Sequence, residues 1–402
     1  MTVFIARQPI LTTNRTTVGY EMLFRSSREN VFDASDRHVA SLEMMNDGIF
    51  LRGINALVGT GDLYVNFEPR TVLNGFAGLL PPDRTVIEIR ADVEFDDDLL
   101  PALAELRKLG FRIALDSLRP GDLGSSLLEV ADLAKVDFTI ADEAEWAAVA
   151  SICRGRGLGL VAEQIETDDL FRVARRLGYQ FFQGYFFAEP HIIESSDVPA
   201  SKSSQLQLLR EINRAEIDFS AIEQALSGDL ALSYKLLTLI NSAAFGLRHH
   251  IESLRQAAVI LGEQGVRKWA SVVILTQLAA DGPPEIAVQS LVRAGFCSAF
   301  APQTNLADRQ SELFLMGLFS MLDSILSRPM DEILENLPLA PDIEAALLGE
   351  SNAPWKVLEL VLAHERANWE SVRRIIDDFG LQESRVAPVY RQVIAQAYDV
   401  LS

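Results

Sequence analysis

Seven polar residues in this chain stand at or near the ends of short apolar runs: Asn66 after Tyr-Val, Glu88 after Val-Ile, Asp116 after Ile-Ala-Leu, Lys135 and Asp137 within Ala-Lys-Val-Asp-Phe, Glu163 after Leu-Val-Ala, and Gln183 after Gln-Phe-Phe. An eighth, Glu21, sits inside Val-Gly-Tyr-Glu-Met-Leu-Phe-Arg. Carboxylates and an amide oxygen suit a hard cation such as Mg²⁺ or Mn²⁺, which takes oxygen ligands and keeps water and substrate phosphate in its shell. The chemistry this implies is phosphate chemistry. On a strand, Glu21, Leu23 and Arg25 share one face, while Met22 and Phe24 form the apolar other. Glu21 and Arg25 are then about 13 Å apart, enough to grip two parts of one extended ligand. An edge strand whose polar face meets water would give the same alternation.

The elements that must position these residues come in two kinds. From Met1 to about Pro190, short apolar strands ("DLYVNF", "TVIEI", "FRIALD", "LAKVDF", "LGLVAEQ", "YQFFQGYFF") alternate with helix-like segments, the rhythm of an α/β fold with parallel strands. In "DDDLLPALAELRKLG", Asp96 to Asp98 are expected to cap the helix and Gly110 to stop it. With the opening strands there are nearly enough elements for a barrel, whose reacting groups would lie at the C-terminal rim of its strands. Residues 191–204 read as a linker rich in Ser and polar residues. Residues 205–402 read as an all-α domain, through apolar residues at three-and-four spacing in "LALSYKLLTLINSAAFG", "LRQAAVILGEQGVRKWASVVILTQLAA" and "SELFLMGLFSMLDSIL".

Composition narrows the function. A chain of 402 residues suits two cores, and its formal net charge of −20 opposes generic binding to nucleic acid or an anionic membrane. No apolar run is long enough to insert in a bilayer, and "MTVFIARQPI" lacks the basic-then-apolar pattern of a secretory signal, so a cytoplasmic location is expected. Cys153 and Cys297 are far apart and read as buried thiols. His249, His250 and the lone His364 read as exposed or capping residues rather than metal ligands. Asn241 and Ser242 read as a helix stop, and Trp269, Trp355 and Trp369 as core. "GRGLGL" precedes a strand and reads as a turn.

In order, the pieces "RQPI", "EMLFR", "YVNFEP", "VIEIR", "ALDS", "AKVD", "VAEQIET" and "FFQGYFFAEP" resemble an EAL domain, the family that hydrolyses cyclic di-GMP to a linear dinucleotide. The later segment "LALSYKLLTLINSAAFGLRHHIESLRQAAVILGEQGVRKWA" resembles an HDOD domain. The resemblance implies a shortened EAL-type (β/α) barrel over residues 1–190 followed by a helical HDOD domain. It also implies Glu21, Asn66, Glu88 and Asp116 as ligands of a first Mg²⁺ or Mn²⁺. Lys135 and Glu163 match residues near the attacking water and a second metal; Leu23, Arg25 and Gln183 match residues that contact or line the ligand site. Two positions depart from the family: Ser117 replaces a second acidic ligand, and Ala91 replaces a Glu that braces the following loop. The reading that results is a signalling protein whose barrel has lost turnover and binds a ligand or partner, coupled to an HDOD output or scaffold domain. That domain, with no His-Asp dipeptide, is expected to work by docking within the chain or on a protein partner. An active phosphodiesterase and a nucleotide-independent scaffold remain as alternatives.

Overall fold

A computed structural model of the chain describes residues 4–25, 54–188, 200–214, 216–217, 254–335 and 337–401. The chain divides into two compact units, Met1–Glu189 with Glu365–Ala367, and Pro190–His364 with Asn368–Ser402.

The first unit is a closed barrel of strands in sequence order: β1 (Phe4–Thr12), β2 (Thr17–Arg25), β3 (Asp62–Asn66), β4 (Thr85–Arg90), β5 (Arg112–Asp116), β6 (Leu133–Asp137), β7 (Gly159–Glu163) and β8 (Phe181–Gln183). From β2 to β8 all pairings are parallel, whereas β1 runs antiparallel to both β2 and β8. β2 is therefore no edge strand. Glu21 and Met22 are both buried, and the face of Glu21 that could have met water is turned into the barrel.

Strand periodicity builds the interior in layers. Ile10, Tyr64, Val86, Ala114, Leu133 and Val161 form an apolar cluster with Phe181 packed against it. Two residues further along β3 to β8 stand Asn66, Glu88, Asp116, Lys135, Glu163 and Gln183. Side chains alternate with period two, so each strand places its polar residue on the same face as its apolar one, one layer nearer the rim.

Among the described residues the longer helices between the strands are α1 (Leu99–Lys108), α2 (Glu143–Gly155) and α3 (Asp168–Leu177). The Asp142 carboxylate caps α2 by accepting from the amides of Ala144 and Glu145, and Glu145 closes the capping box. The expectation for α1 needs correction. Asp98 stands at the N-cap, but its carboxylate makes no cap hydrogen bond. Gly110 does follow the helix, at φ 105. Other crossovers are short: Pro69–Leu73 and two 3₁₀ turns between β3 and β4, and only 3₁₀ turns between β5 and β6. "YQFFQGYFF" is not one continuous strand, because the chain turns at Gly184 into a 3₁₀ segment, Tyr185–Ala188. A Cβ at Gly184 would lie 2.1 Å from the Ile165 carbonyl oxygen, so only glycine fits.

Within the second unit the described residues form helices and no strand, the longer ones being α4 (Ala200–Asn213), α5 (Leu254–Leu278), α6 (Pro284–Phe300), α7 (Gln310–Phe319), α8 (Ala353–Glu365), α9 (Trp369–Phe379) and α10 (Val386–Leu401). α4 begins at Ala200, inside the segment expected to be linker. α5 kinks at Gly262. Asn241, Ser242, His249 and His250 lie outside the described residues. His364 is wholly buried, not exposed or capping, beside Tyr390, Trp369 and Phe296. Cys153 and Cys297 are buried free thiols. Among the described residues no helix is long and apolar enough to cross a membrane.

Candidate active site at the barrel rim

The polar layer is organised around one ammonium group. Lys135, with no exposed surface, places Nζ 2.7 Å from Glu21 Oε2, 2.6 Å from Glu88 Oε1 and 2.8 Å from Glu163 Oε1. Asn66 Nδ2 donates to the opposite oxygens of the same pair, Glu21 Oε1 at 2.7 Å and Glu88 Oε2 at 3.1 Å. Gln183 Nε2 donates to Glu21 Oε2 at 2.8 Å and to Gln8 Oε1 at 2.9 Å, which leaves its buried Oε1 without a hydrogen-bond partner. Residues from seven of the eight strands, all but β5, thus meet in one network.

Burial sets the electrostatics. Glu21 is pushed up by burial, but the charge of Lys135 and hydrogen bonds from Lys135, Gln183 and Asn66 outweigh this and hold it below the ordinary carboxylate value. Burial and the neighbouring charge of Glu21 carry Glu88 well above that value despite Lys135. Glu163 is pushed up to about 8 by burial, with Asp116 and Glu21 adding to the shift and Lys135 opposing it. Lys135, although burial lowers its pKa, is carried well above its ordinary value by Glu163, Glu21, Glu88 and Asp116. The surplus of acid over base leaves the cluster with protons that a cation could replace.

Asp116 is half-buried and stands outside the hydrogen-bonded ring, accepting from Ser117 Oγ at 3.3 Å. Of the four expected metal ligands, Glu21, Asn66 and Glu88 are therefore brought together, with Asp116 beside them and bonded to Ser117 rather than to the ring. Among the described residues no three His, Cys, Asp or Glu side chains are grouped to hold a metal. The donor set nonetheless fits a hard cation through an amide: Glu21 Oε1 and Glu88 Oε2 converge on the Asn66 carboxamide, whose own oxygen would complete three oxygen donors.

The start of the loop after β5 is tied through the backbone. Ala91 has no side chain to brace it, but its amide donates to the Asp116 carbonyl at 2.9 Å, and the Leu118 amide donates to the Lys135 carbonyl at 2.9 Å. Ser117, Gln164 and Gly184, which directly follow Asp116, Glu163 and Gln183, all have positive φ (54, 57 and 145). Such backbone turns the chain sharply away as each polar side chain is presented, and for Ser and Gln it is uncommon. Leu23 is half-buried on β2; the Arg25 side chain lies outside the described residues. Asp137 does not join the site and instead accepts from the Thr139 amide and hydroxyl. Sequence reasoning missed Gln8, which faces Glu21 across the antiparallel β1–β2 pair. Its signal was its place in "RQPI", an even number of residues from Ile10 in the apolar layer.

Comparison with known proteins places these features in a family. The EAL domain profile matches residues 69–190 and the HDOD domain profile residues 198–330. The chain is 32% identical over 382 residues to the cyclic di-GMP phosphodiesterase CdgJ of Vibrio cholerae, covering 94% of this chain and 88% of that protein. It is also 32% identical over 392 residues to the uncharacterized protein YuxH of Bacillus subtilis, covering 96% of each. Among solved structures, the manganese and cyclic di-GMP complex of Klebsiella pneumoniae BlrP1 at pH 9.0 is similar at 25% identity and a TM-score of 0.39, over 46% of this chain and 55% of that one. An eight-stranded barrel with a shared polar layer at one rim, followed by a helical unit, together with these matches makes this chain a member of the family of signalling proteins in which an EAL domain precedes an HDOD domain.

Proposed function

We propose that the barrel is a cyclic di-GMP site built on one divalent cation, Mg²⁺ or Mn²⁺, with hydrolysis impaired, and that it governs docking by the HDOD domain in the cytoplasm. The observation that carries this reading is the Glu21, Asn66, Glu88 and Lys135 network standing beside Asp116–Ser117, where a second acidic ligand is replaced by a hydroxyl. A bound cation there would polarise a phosphoryl oxygen and acidify a coordinated water. Glu21, Asn66 and Glu88 would hold it, with Asp116 completing the set from the adjacent strand end. Lys135 keeps the carboxylates apart and oriented. Glu163, with its carboxyl at about 8, is suited to holding and releasing a proton near neutral pH. Leu23 and Arg25 contact base and phosphate, and Gln183 offers an acceptor inside the site.

A second reading, an active phosphodiesterase, draws on the Lys135–Glu163 pair at 2.8 Å and on the name of the Vibrio cholerae relative. One experiment separates the two. Cyclic di-GMP is titrated into the full chain with Ca²⁺, and turnover is then followed with Mg²⁺ and Mn²⁺. Binding with little or no linear product is the expected result. Multiple turnover at an ordinary enzymatic rate, abolished by Glu21→Ala, would establish the second reading, and the absence of binding would leave a scaffold.

A further inference from the structure

The network around Glu21 and Glu88 is a closed ring in which no donor is spare. Lys135 spends its three protons on Glu21, Glu88 and Glu163. Asn66 spends both protons of its Nδ2 on Glu21 Oε1 and Glu88 Oε2. Each of these two glutamates therefore faces Lys135 with one oxygen and Asn66 with the other. The ends of the ring differ in access: Lys135 is sealed from solvent, while Asn66 is exposed. A cation arriving from the rim meets the Asn66 end.

Only one end of a carboxamide can serve each state. Without a cation, the Asn66 oxygen would bring no hydrogen to Glu21 Oε1 and Glu88 Oε2, whereas its NH₂ group donates one to each. The NH₂ group must stand there, as it does. With a hard divalent cation between the same carboxylate oxygens the NH₂ group is excluded and the oxygen must face inward. We propose that the Asn66 carboxamide turns by half a rotation when the cation enters, its NH₂ group standing in for the ion in the metal-free state while Lys135 stays in place. The site is then selective for cations that outbid two hydrogen bonds to carboxylates, which favours a divalent ion over a monovalent one. This inference rests on the reading that Glu21, Asn66 and Glu88 hold a divalent cation.

The test uses the full chain labelled with ¹⁵N. The Asn66 side-chain NH₂ signal is identified by its loss in Asn66→Asp, or in Asn66→Ser if that variant does not fold. In chelator it is expected to be slow to exchange with water. As Mg²⁺ saturates the site by calorimetry, the signal should shift and lose that protection over the same concentrations. Asn66→Asp, which needs no turn, is expected to bind Mn²⁺ at least tenfold more tightly and to melt lower than wild type without metal. Saturation by Mg²⁺ with the Asn66 signal unshifted and still protected would overturn the proposal while leaving the cation site standing. Failure of wild type to bind either Mg²⁺ or Mn²⁺ would bring down the site reading and the proposal together.

Discussion

Lys135 Nζ stands 2.6 Å from Glu88 Oε1 with neither side chain exposed to water. Removing one member of a buried ion pair strands the other and typically costs about 3 to 5 kcal/mol. Lys135→Met is accordingly expected to destabilise the barrel by that order in denaturant melts with chelator. Added Mn²⁺ should restore more stability to the variant than it gives wild type. An unchanged midpoint in chelator would show that protons, not Lys135, neutralise the acids.

The metal-free barrel should weaken as the solution becomes more alkaline. Glu163, at about 8 in the fold against an ordinary 4.5, keeps a proton that the unfolded chain releases, so stability falls as pH rises from 4.5 through about 8. Glu88 shifts in the same direction. Denaturant midpoints in chelator should be lower at about pH 8.5 than at about pH 6, with much of the slope lost in Glu163→Gln. Cation binding should release protons over the same range, measurable by calorimetry in buffers of different ionisation heat.

The helical unit should have the opposite sensitivity. His364 is buried with no hydrogen-bond partner on either ring nitrogen, and burial lowers its pKa to about 3. The unfolded chain accepts a proton near pH 6.5 that the fold refuses, so this contribution to stability is complete above that pH and is lost on acidification. The loss is about 1.4 kcal/mol per pH unit, or roughly 2 kcal/mol between about pH 6.5 and pH 5. His364→Phe, set against Tyr390 at 4.3 Å, is expected to flatten the acid limb of the stability profile. Equal acid slopes in the variant and wild type would refute this.

Ser117→Asp is expected to raise Mn²⁺ stoichiometry from one to two per chain and to increase turnover. The backbone there already has φ 54, a region Asp tolerates better than most residues, and the loop is pinned by the Ala91 and Leu118 amides. A stoichiometry that stays at one would place the second cation's difficulty elsewhere than in the missing carboxylate.

Much of the polar layer was legible because strand geometry is simple. Asn66, Glu88, Asp116, Lys135, Glu163 and Gln183 each follow an apolar partner by two residues, and parallel strands align such pairs at one rim. What lay hidden depended on distant chain or on the backbone. Gln8 joins the site because β1 runs antiparallel, which its composition does not announce. Ala91 and Leu118 tie their loop through backbone amides, a group every residue but proline carries and no side-chain pattern announces. His364 was misplaced because the buried face of a helix is chosen by what packs on it. Asp98 was credited with a side-chain cap because its residue type permits one, though its carboxylate makes no such bond.

The barrel's wall has a consequence for its synthesis. β1 finds its first neighbour, β2, almost at once, but its second neighbour is β8, through Ile10 with Gln183 and Thr12 with Phe181. At roughly 5 to 20 residues per second, translation delivers that neighbour some 10 to 30 seconds later, and pairing across so long a loop is slow for a folding chain. Throughout that interval the hairpin carries an unpaired flank on the ribosome, a natural target for a chaperone. Glu21 from the second strand and Gln183 from the last meet only when the wall seals. A nascent chain halted before Gln183 lacks the closed barrel and the completed polar layer alike.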